Sequence, residues 1–479
     1  MKTNIKAIIA LLSFSLSAIA QNESDALRFS QNYSGGTARS LGLSGAFGAL
    51  GGDPSSLSIN PAGIGVYRAS EFTITTGVNY DKVKSSYLGS SYEDYKYKLN
   101  ISNLAYIYTY NTNKTQGWVS ASFGIAYNRL ADFNRNISIR GNNAQSSLMD
   151  EFVYNSNNGM GSEFYEDLAY LTEAMDYNEI DSKYYSDFTL DGYGQSQKKN
   201  IVTKGGIGEY DLSFGANFGN VLYLGATVGV QRVDYEELKD HTETDVNGTL
   251  EYLQSFSFKE HFNAYGTGYN LKVGAIVKPV DFLRLGLAVH TPTFYNLTSE
   301  FYTNMDTYFD KGSPADMHER SDLASSDYLL TTPFKAIGSV AFIFDKYGLF
   351  SLDYEMVDYT KARFRSDEDD YSVVNTAVGD VYKKTSNIKA GLEGKLGPFS
   401  ARIGYGYYGS PYSSSSNLLN NSYKYQSYSA GFGIRGKSAF FDVAYVVNKS
   451  NEELKLYSSA YPKLEINQSK IMATLGFRF

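Results

Sequence analysis

From Glu71 onward the chain alternates apolar with small or polar residues at a period of two. In 118–127, Val119, Ala121, Phe123, Ile125 and Tyr127 share one face, and Ser120, Ser122, Gly124 and Ala126 share the other. Stretch 210–218 repeats the pattern, as do 222–230, 271–277, 283–289, 350–356, 401–407, 428–434 and 441–447. Period-two alternation marks a strand with unlike faces. The outer face of a soluble sandwich would be richly charged. Here the minority face is mostly Gly, Ser, Thr and Ala, with scattered charges such as Asp353, Glu355, Lys389, Glu393 and Arg402. Continuous Leu, Val, Ile, Phe and Tyr on the other face suit an apolar band toward lipid around a polar interior. Open strand edges cannot be satisfied in hydrocarbon, so the sheet must close.

The pattern yields fourteen runs, at 69–81, 99–111, 117–131, 207–219, 221–236, 261–278, 281–298, 330–345, 347–364, 381–396, 398–410, 422–436, 438–449 and 463–479. The predicted fold is all-β: a transmembrane antiparallel β-barrel of about 14 strands, an even number as in bacterial single-chain barrels. Short connections (Gly219-Asn220, Pro279-Val280, Gly436-Lys437) alternate with long ones at 132–206, 237–260, 299–329 and 365–380. That asymmetry predicts periplasmic turns, extracellular loops and both chain ends in the periplasm. Within the first long loop, 146–177 is rich in Glu, Leu, Met and Ala and predicts one or two short helices.

One stretch, 37–67, reads as neither strand nor polar loop. Glycines at 42, 45, 48, 51 and 52 alternate with Leu43, Ala46, Phe47, Ala49 and Leu50, too few apolar residues for an independent core. Asp53-Pro54-Ser55 and Asn60-Pro61-Ala62-Gly63 read as turns. Such a segment needs an enclosure, and the barrel supplies one. The predicted organisation is a signal peptide over 1–20, an N-terminal hatch over 21–68 that plugs the lumen, and the barrel over 69–479. The leader has Lys2 and Lys6 ahead of an apolar core, then Ala18-Ile19-Ala20, which predicts a mature start at Gln21. At the other end, 471, 473, 475, 477 and 479 are apolar, and the chain stops on Phe479. That tail resembles the C-terminal signal of outer-membrane barrel proteins.

Composition narrows the chemistry. Tyrosine is abundant, 43 against a single Trp, and suits positions where one end of a ring is apolar and the other wet. A net charge of −8, and −10 without the leader lysines, argues against a nucleic-acid partner. With no cysteine, disulfides, thiolate metal sites and cysteine nucleophiles are excluded.

The motifs carry a resemblance. Gly51-Gly52-Asp53-Pro54-Ser55-Ser56 leading to Asn60-Pro61-Ala62-Gly63 resembles the N-terminal hatch, with its Asn-Pro-Ala signature, of the FadL/TodX family of outer-membrane transporters for hydrophobic compounds. Gly266-Thr267-Gly268-Tyr269-Asn270 through 283–287, and Thr332-Pro333-Phe334-Lys335 through Asp353-Tyr354-Glu355, extend the likeness. The resemblance implies a monomeric outer-membrane barrel of a Gram-negative bacterium. Its function would be passive uptake of long-chain fatty acids or hydrocarbons, with no cofactor. Hydrophobic small molecules and outer-membrane lipid would be its partners. The candidate hatch and gating residues are Phe47, Leu50, Asp53, Asn60, Pro61, Ala62 and Gly63. Phe47, Leu50 and Ile59 are costly to leave in water, and Asn60 is placed to tie the following backbone. Two alternatives stand beside this reading. One is a barrel scaffold for a protein secretion and surface-attachment system, a role that relatives with this fold serve. The other is a water-filled porin, which a plug argues against. A contiguous apolar lumenal pocket near the hatch would favour the transporter, and a dry, filled lumen with a large flat outer loop surface would favour the scaffold.

Enzymatic and metal chemistry find little footing. Gly404-Tyr405-Gly406-Tyr407-Tyr408-Gly409 matches G-x-G-x-x-G but sits inside an alternating run with no helix after it, so no dinucleotide site is expected. His241, His261, His290 and His318 lack metal-ligand spacing. By parity with Arg284, His290 faces the lumen, yet no nucleophile, base and orienting group assemble around it. Asp367-Glu368-Asp369-Asp370 could gather Ca²⁺ or be a solvated acidic loop. No metal site is expected.

Overall fold

A strand that meets hydrocarbon needs a hydrogen-bonded neighbour on each side, and the computed structural model of the chain meets that demand by closure. It describes residues 23–32, 35–189, 193–250, 252–310, 315–413, 423–457 and 460–479. The predicted leader and its cleavage site lie outside the described residues.

Fourteen strands follow one another around the wall. The first are β1 (Glu71–Tyr87), β2 (Ser90–Asn111), β3 (Trp118–Asp132, resumed at Arg135–Gly141), β4 (Ser196–Phe218) and β5 (Leu222–Thr244). Next come β6 (Leu253–Val280), β7 (Leu283–His290, resumed at Phe294–Phe309), β8 (Ala324–Thr331, resumed at Lys335–Phe344) and β9 (Gly348–Asp358, resumed at Arg363–Arg365). The circuit ends with β10 (Lys384–Leu396), β11 (Phe399–Tyr408), β12 (Lys424–Arg435), β13 (Ala439–Glu453) and β14 (Lys463–Arg478). Each pairs antiparallel with the next. β14 returns to β1 in a ladder from Glu71↔Arg478 to Ser86↔Lys463. The terminal Phe479 stacks on Tyr106, ring centroids 6.1 Å apart, and its backbone N–H donates to Ser70 O at 3.1 Å.

The two faces separate as the alternation requires. Along β4, Tyr210, Leu212 and Phe214 are 56, 64 and 44 % exposed, whereas Asp211 and Ser213 are buried. At one end the strands join through tight turns such as Gly219-Asn220, both at positive φ, the geometry of a two-residue hairpin. At the opposite end stand α4 (Leu148–Asn157), α5 (Glu166–Leu171) and α6 (Ser372–Val381). Toward the N-terminus lie α1 (Glu23–Ser30), α2 (Ala38–Leu41) and α3 (Ser56–Ile59), then a 3₁₀ turn at Pro61–Val66.

Several predicted boundaries move at the long-loop end. β1 and β2 run on to a tight turn at Leu88-Gly89, where the pattern predicts that they stop at 81 and resume at 99. Predicted loop 237–260 is mostly ladder, because β5 and β6 pair from Thr244↔Ser255 downward. In predicted loop 299–329, β7 continues to Phe309 and a short strand at Met317–Arg320 pairs with it. The physical reason is common to all three. Above the bilayer the outward face meets water instead of lipid, and a strand there keeps its hydrogen bonds without needing an apolar outer side.

Candidate functional site

Stretch 36–67 crosses the inside of the barrel and holds itself in shape locally. Thr37 caps α2: its hydroxyl accepts from Ser40 N at 3.2 Å and donates to the Asp53 carboxylate at 2.8 Å. Asp53 also accepts from Ser55 N at 3.0 Å, the Asx turn expected of Asp-Pro-Ser. Gly51 and Gly52 sit at φ +67° and +64°, where a side chain would be strained. Gly52 N donates to Gly63 O at 2.9 Å, closing the two turns onto each other. Pro61 opens the 3₁₀ turn, where its missing N–H costs nothing.

Asn60 is the knot of the segment. Its Oδ1 accepts from Ala62 N at 3.1 Å, and its Nδ2 donates to Gly48 O at 2.6 Å. A longer contact reaches the β6 wall at Ala275 O, 3.4 Å away. Phe47 and Leu50 pack on the wall residues Ala288, Ile337, Ala341 and Leu349. All seven candidate residues, Phe47, Leu50, Asp53, Asn60, Pro61, Ala62 and Gly63, are buried.

The wall is built to receive this segment. Asp353 on β9 accepts from Phe47 N and Gly48 N, both at 2.9 Å. Arg284 on β7 donates to Leu50 O at 2.6 Å, and His290 Nε2, on the same strand, meets Ile59 O at 3.0 Å. Ser58 donates to Asp211 on β4 at 2.7 Å, beside a Lys272 that bonds both Glu209 and Asp211. Thr474 on β14 accepts from Ala38 N at 2.7 Å. Arg39 pairs with Glu393 at 3.1 Å, and the fully buried Arg402 joins Glu393 (2.5 Å) to Asp442 (2.6 Å). The scattered charges on the minority face of the sequence are thus inward-facing, and several of them anchor the plug.

Glycines on the wall matter as much as those in the plug. A methyl at Gly274 would overlap Asn60 Oδ1, one at Gly225 would overlap Pro61 O, and one at Gly286 would overlap Gly48 O. Sequence reasoning missed these three. Their signal was present as single glycines on the inward face of otherwise regular strands, where glycine marks a close backbone approach.

On the long-loop side of the plug, inward Leu130, Ile207, Val233, Tyr295, Leu330 and Val357 form one apolar cluster with Leu27 and Phe29 of α1. Between α1 and the plug remains a cavity of about 60 Å³, lined by polar groups that include Gln231, Lys272, His290, Lys335 and Glu355. Room for one water takes ~10–15 Å³ by this measure, so the cavity holds a few waters and no fatty acid. The remaining candidates resolve simply. The G-x-G-x-x-G match lies on β11, continuing to Gly409. Among the described residues no group of three or more His, Asp or Glu is arranged to hold a metal ion. Asp369 accepts from Ser326 and Asp370 from Ser372.

No protein-family model and no curated protein matches the chain. Solved structures do. A Pseudomonas aeruginosa FadL homologue superposes with TM-score 0.56 at 14% identity, over 93% of this chain and 98% of that one. The P. putida toluene transporter TodX gives 0.54 at 12%, over 94% and 99%. A TodX deltaS2S3 mutant, described as a monoaromatic hydrocarbon channel, gives 0.55 at 13%, over 93% and 99%. The fold is that of the FadL-type barrels. With its closed ladder and apolar outer face, this FadL-type barrel is an outer-membrane protein of a Gram-negative bacterium.

Proposed function

We propose that the barrel passes hydrophobic compounds, long-chain fatty acids or hydrocarbons, passively across the outer membrane, with 37–67 as its hatch. The long loops then face the exterior and the tight turns face the periplasm. One observation carries this reading: the inward apolar lining around Val233, Tyr295 and Leu330 on the long-loop side of the plug. A water-filled pore has a polar interior, and this lining instead rewards an alkyl or aromatic ligand by ~25 cal/mol for each Å² it covers. In the present state Leu27 and Phe29 of α1 cover it. The state is therefore closed, and a ligand must displace side chains to enter. The names of two of these structural neighbours, a FadL homologue and a toluene transporter, support the same ligand class. A self-closed wall gives no call for a second subunit, and the working unit is proposed to be a monomer.

Uptake measurements test this. Cells making the wild-type chain should accumulate labelled oleate or toluene faster than cells lacking it. Deleting 37–63 should leave a heat-modifiable barrel that leaks small hydrophilic solutes. Equal uptake with and without the wild-type chain, for every hydrophobic probe, would end the transport reading.

A further inference from the structure

Exposed apolar side chains on the barrel wall face lipid, but one group of them cannot. Residues 148–189 form a two-faced cap. Its lower face buries Met149, Phe152, Leu168 and Met175 against inward residues from separate parts of the wall, including Ile201, Phe256, Met305 and Ile466. The cap therefore sits over the lumen, and its upper face points away from the bilayer. On that upper side Tyr154, Tyr170, Leu171, Tyr177, Ile180 and Tyr185 are exposed, Ile180 at 96 %. Tyr170 and Tyr177 flank Tyr184, whose ring lies 6.1 Å from that of Tyr170 and 5.0 Å from that of Tyr177. Exposed apolar patches of this kind on the water side of a protein mark interaction sites.

The patch is also rigid. Ser147 and Asp150 make a capping box on α4, and Leu148 N donates to the buried Glu243 at 2.8 Å. Glu166 joins α5 to α4 through Asn155 at 2.8 Å. Thr307 donates to Thr172 O at 2.7 Å, and Ser186 to Ala174 O at 2.6 Å. A surface ordered in advance loses little entropy when a partner binds.

Its charge selects the partner. Across 148–189 the sequence holds ten Asp or Glu against one cation, Lys183. Glu163, Asp167, Glu173, Asp176, Glu179 and Asp181 are exposed, and none forms an ion pair among the described residues. Partial desolvation and then the neighbouring Glu173 and Asp187 push the Asp176 carboxyl above its usual range. Anionic headgroups would be repelled here, and so would a second copy of this net-negative chain.

We propose that this cap is a docking surface for a cationic polypeptide segment of another protein, one whose lysines or arginines alternate with apolar anchors. The apolar residues of such a segment would cover the tyrosines, Leu171 and Ile180, while its cations meet the acidic rim. The proposal is independent of what passes through the barrel.

Binding to protein in lipid nanodiscs tests it, with three probes: a labelled amphipathic peptide of Lys, Leu and Trp, its Glu-for-Lys counterpart, and lipopolysaccharide with Mg²⁺. The lysine peptide should bind saturably, and its affinity should fall as salt rises. Leu171→Ser combined with Ile180→Ser should weaken it at least tenfold, and so, separately, should Glu173→Gln combined with Asp176→Asn. Asp367→Asn with Glu368→Gln, an equal charge change on another exposed loop, should leave affinity within twofold. All these side chains are exposed, so each variant should keep heat-modifiable migration. The proposal is overturned if the cap variants bind as wild type does, or if the 367–368 pair weakens binding equally. Equal binding of the glutamate peptide, or cap-dependent binding of lipopolysaccharide alone, would overturn it too.

Discussion

Gly274→Ala reaches the proposed hatch through the wall with a single methyl. The added methyl would overlap Asn60 Oδ1 and lie 2.9 Å from Asn60 Cγ and 3.3 Å from Pro61 Cδ. Neither β6, laddered on both sides, nor Pro61, locked in its ring, yields easily, so the Asn60 side chain must move by more than 1 Å to reach ordinary contact (roughly 3.4 Å for such a pair,). It then loses its bonds to Ala62 N (3.1 Å) and Gly48 O (2.6 Å). Each is buried, and a buried partner left unsatisfied costs ~1–3 kcal/mol. With partial relaxation the closed hatch loses about 2–4 kcal/mol. At ~1.4 kcal/mol per decade this raises the open-to-closed ratio about 30- to 700-fold. Planar-bilayer conductance, and susceptibility of cells to a hydrophilic antibiotic that wild type excludes, should both rise. Gly338→Ala is the control, since a methyl there meets nothing within 4 Å. Asn60→Ala removes the same two bonds without a clash and should raise conductance to a similar degree. In the double variant Gly274→Ala should add little to what Asn60→Ala does alone. Conductance of Gly274→Ala equal to that of Gly338→Ala, or a full additive effect in the double variant, would refute this account.

Arg402→Leu leaves Glu393 and Asp442 buried with less compensation, and breaking a buried pair costs ~3–5 kcal/mol. The temperature at which migration shifts on gels should fall well below that of wild type. A chain without native cysteine allows clean labelling: impermeant thiol reagents on intact cells should reach Cys placed at Asp369 and spare Cys at Asn220, and the reverse result would invert the barrel. Loss of Phe479 removes the stacking on Tyr106 and the bond to Ser70, so outer-membrane yield should drop. Burial, offset by bonds from Asn155 and Ser162, raises the Glu166 carboxyl above its usual range. Its folded pKa exceeds the unfolded one, so the cap should be most protected from hydrogen exchange below the unfolded value and lose protection as pH rises through the folded one; Glu166→Gln should remove that dependence.

What the sequence determined alone is everything that repeats at a period of two. Tyr210, Leu212 and Phe214 had to face lipid because no other environment accepts continuous apolar residues beside Ser, Gly and Thr. From that face followed the strand count, the closure and the sidedness of turns and loops. The turn chemistry of Asp53-Pro54 and Asn60-Pro61 was equally legible, since those residues bond their own neighbours. The pattern faded where its cause did. Above the bilayer the outward faces of β5 and β6 meet water instead of lipid, so their long extensions left no outward period to read, while the inward Phe256 and Phe258 are buried under residues 148–189. Only the tertiary structure decided which wall residue meets which part of the plug. That Gly274 lies under Asn60, or that Asp353 takes the N–H groups of Phe47 and Gly48 from about three hundred positions away, depends on the tilt and stagger with which the sheet closes. Those are properties of the whole ring of strands, and no local stretch of residues encodes them.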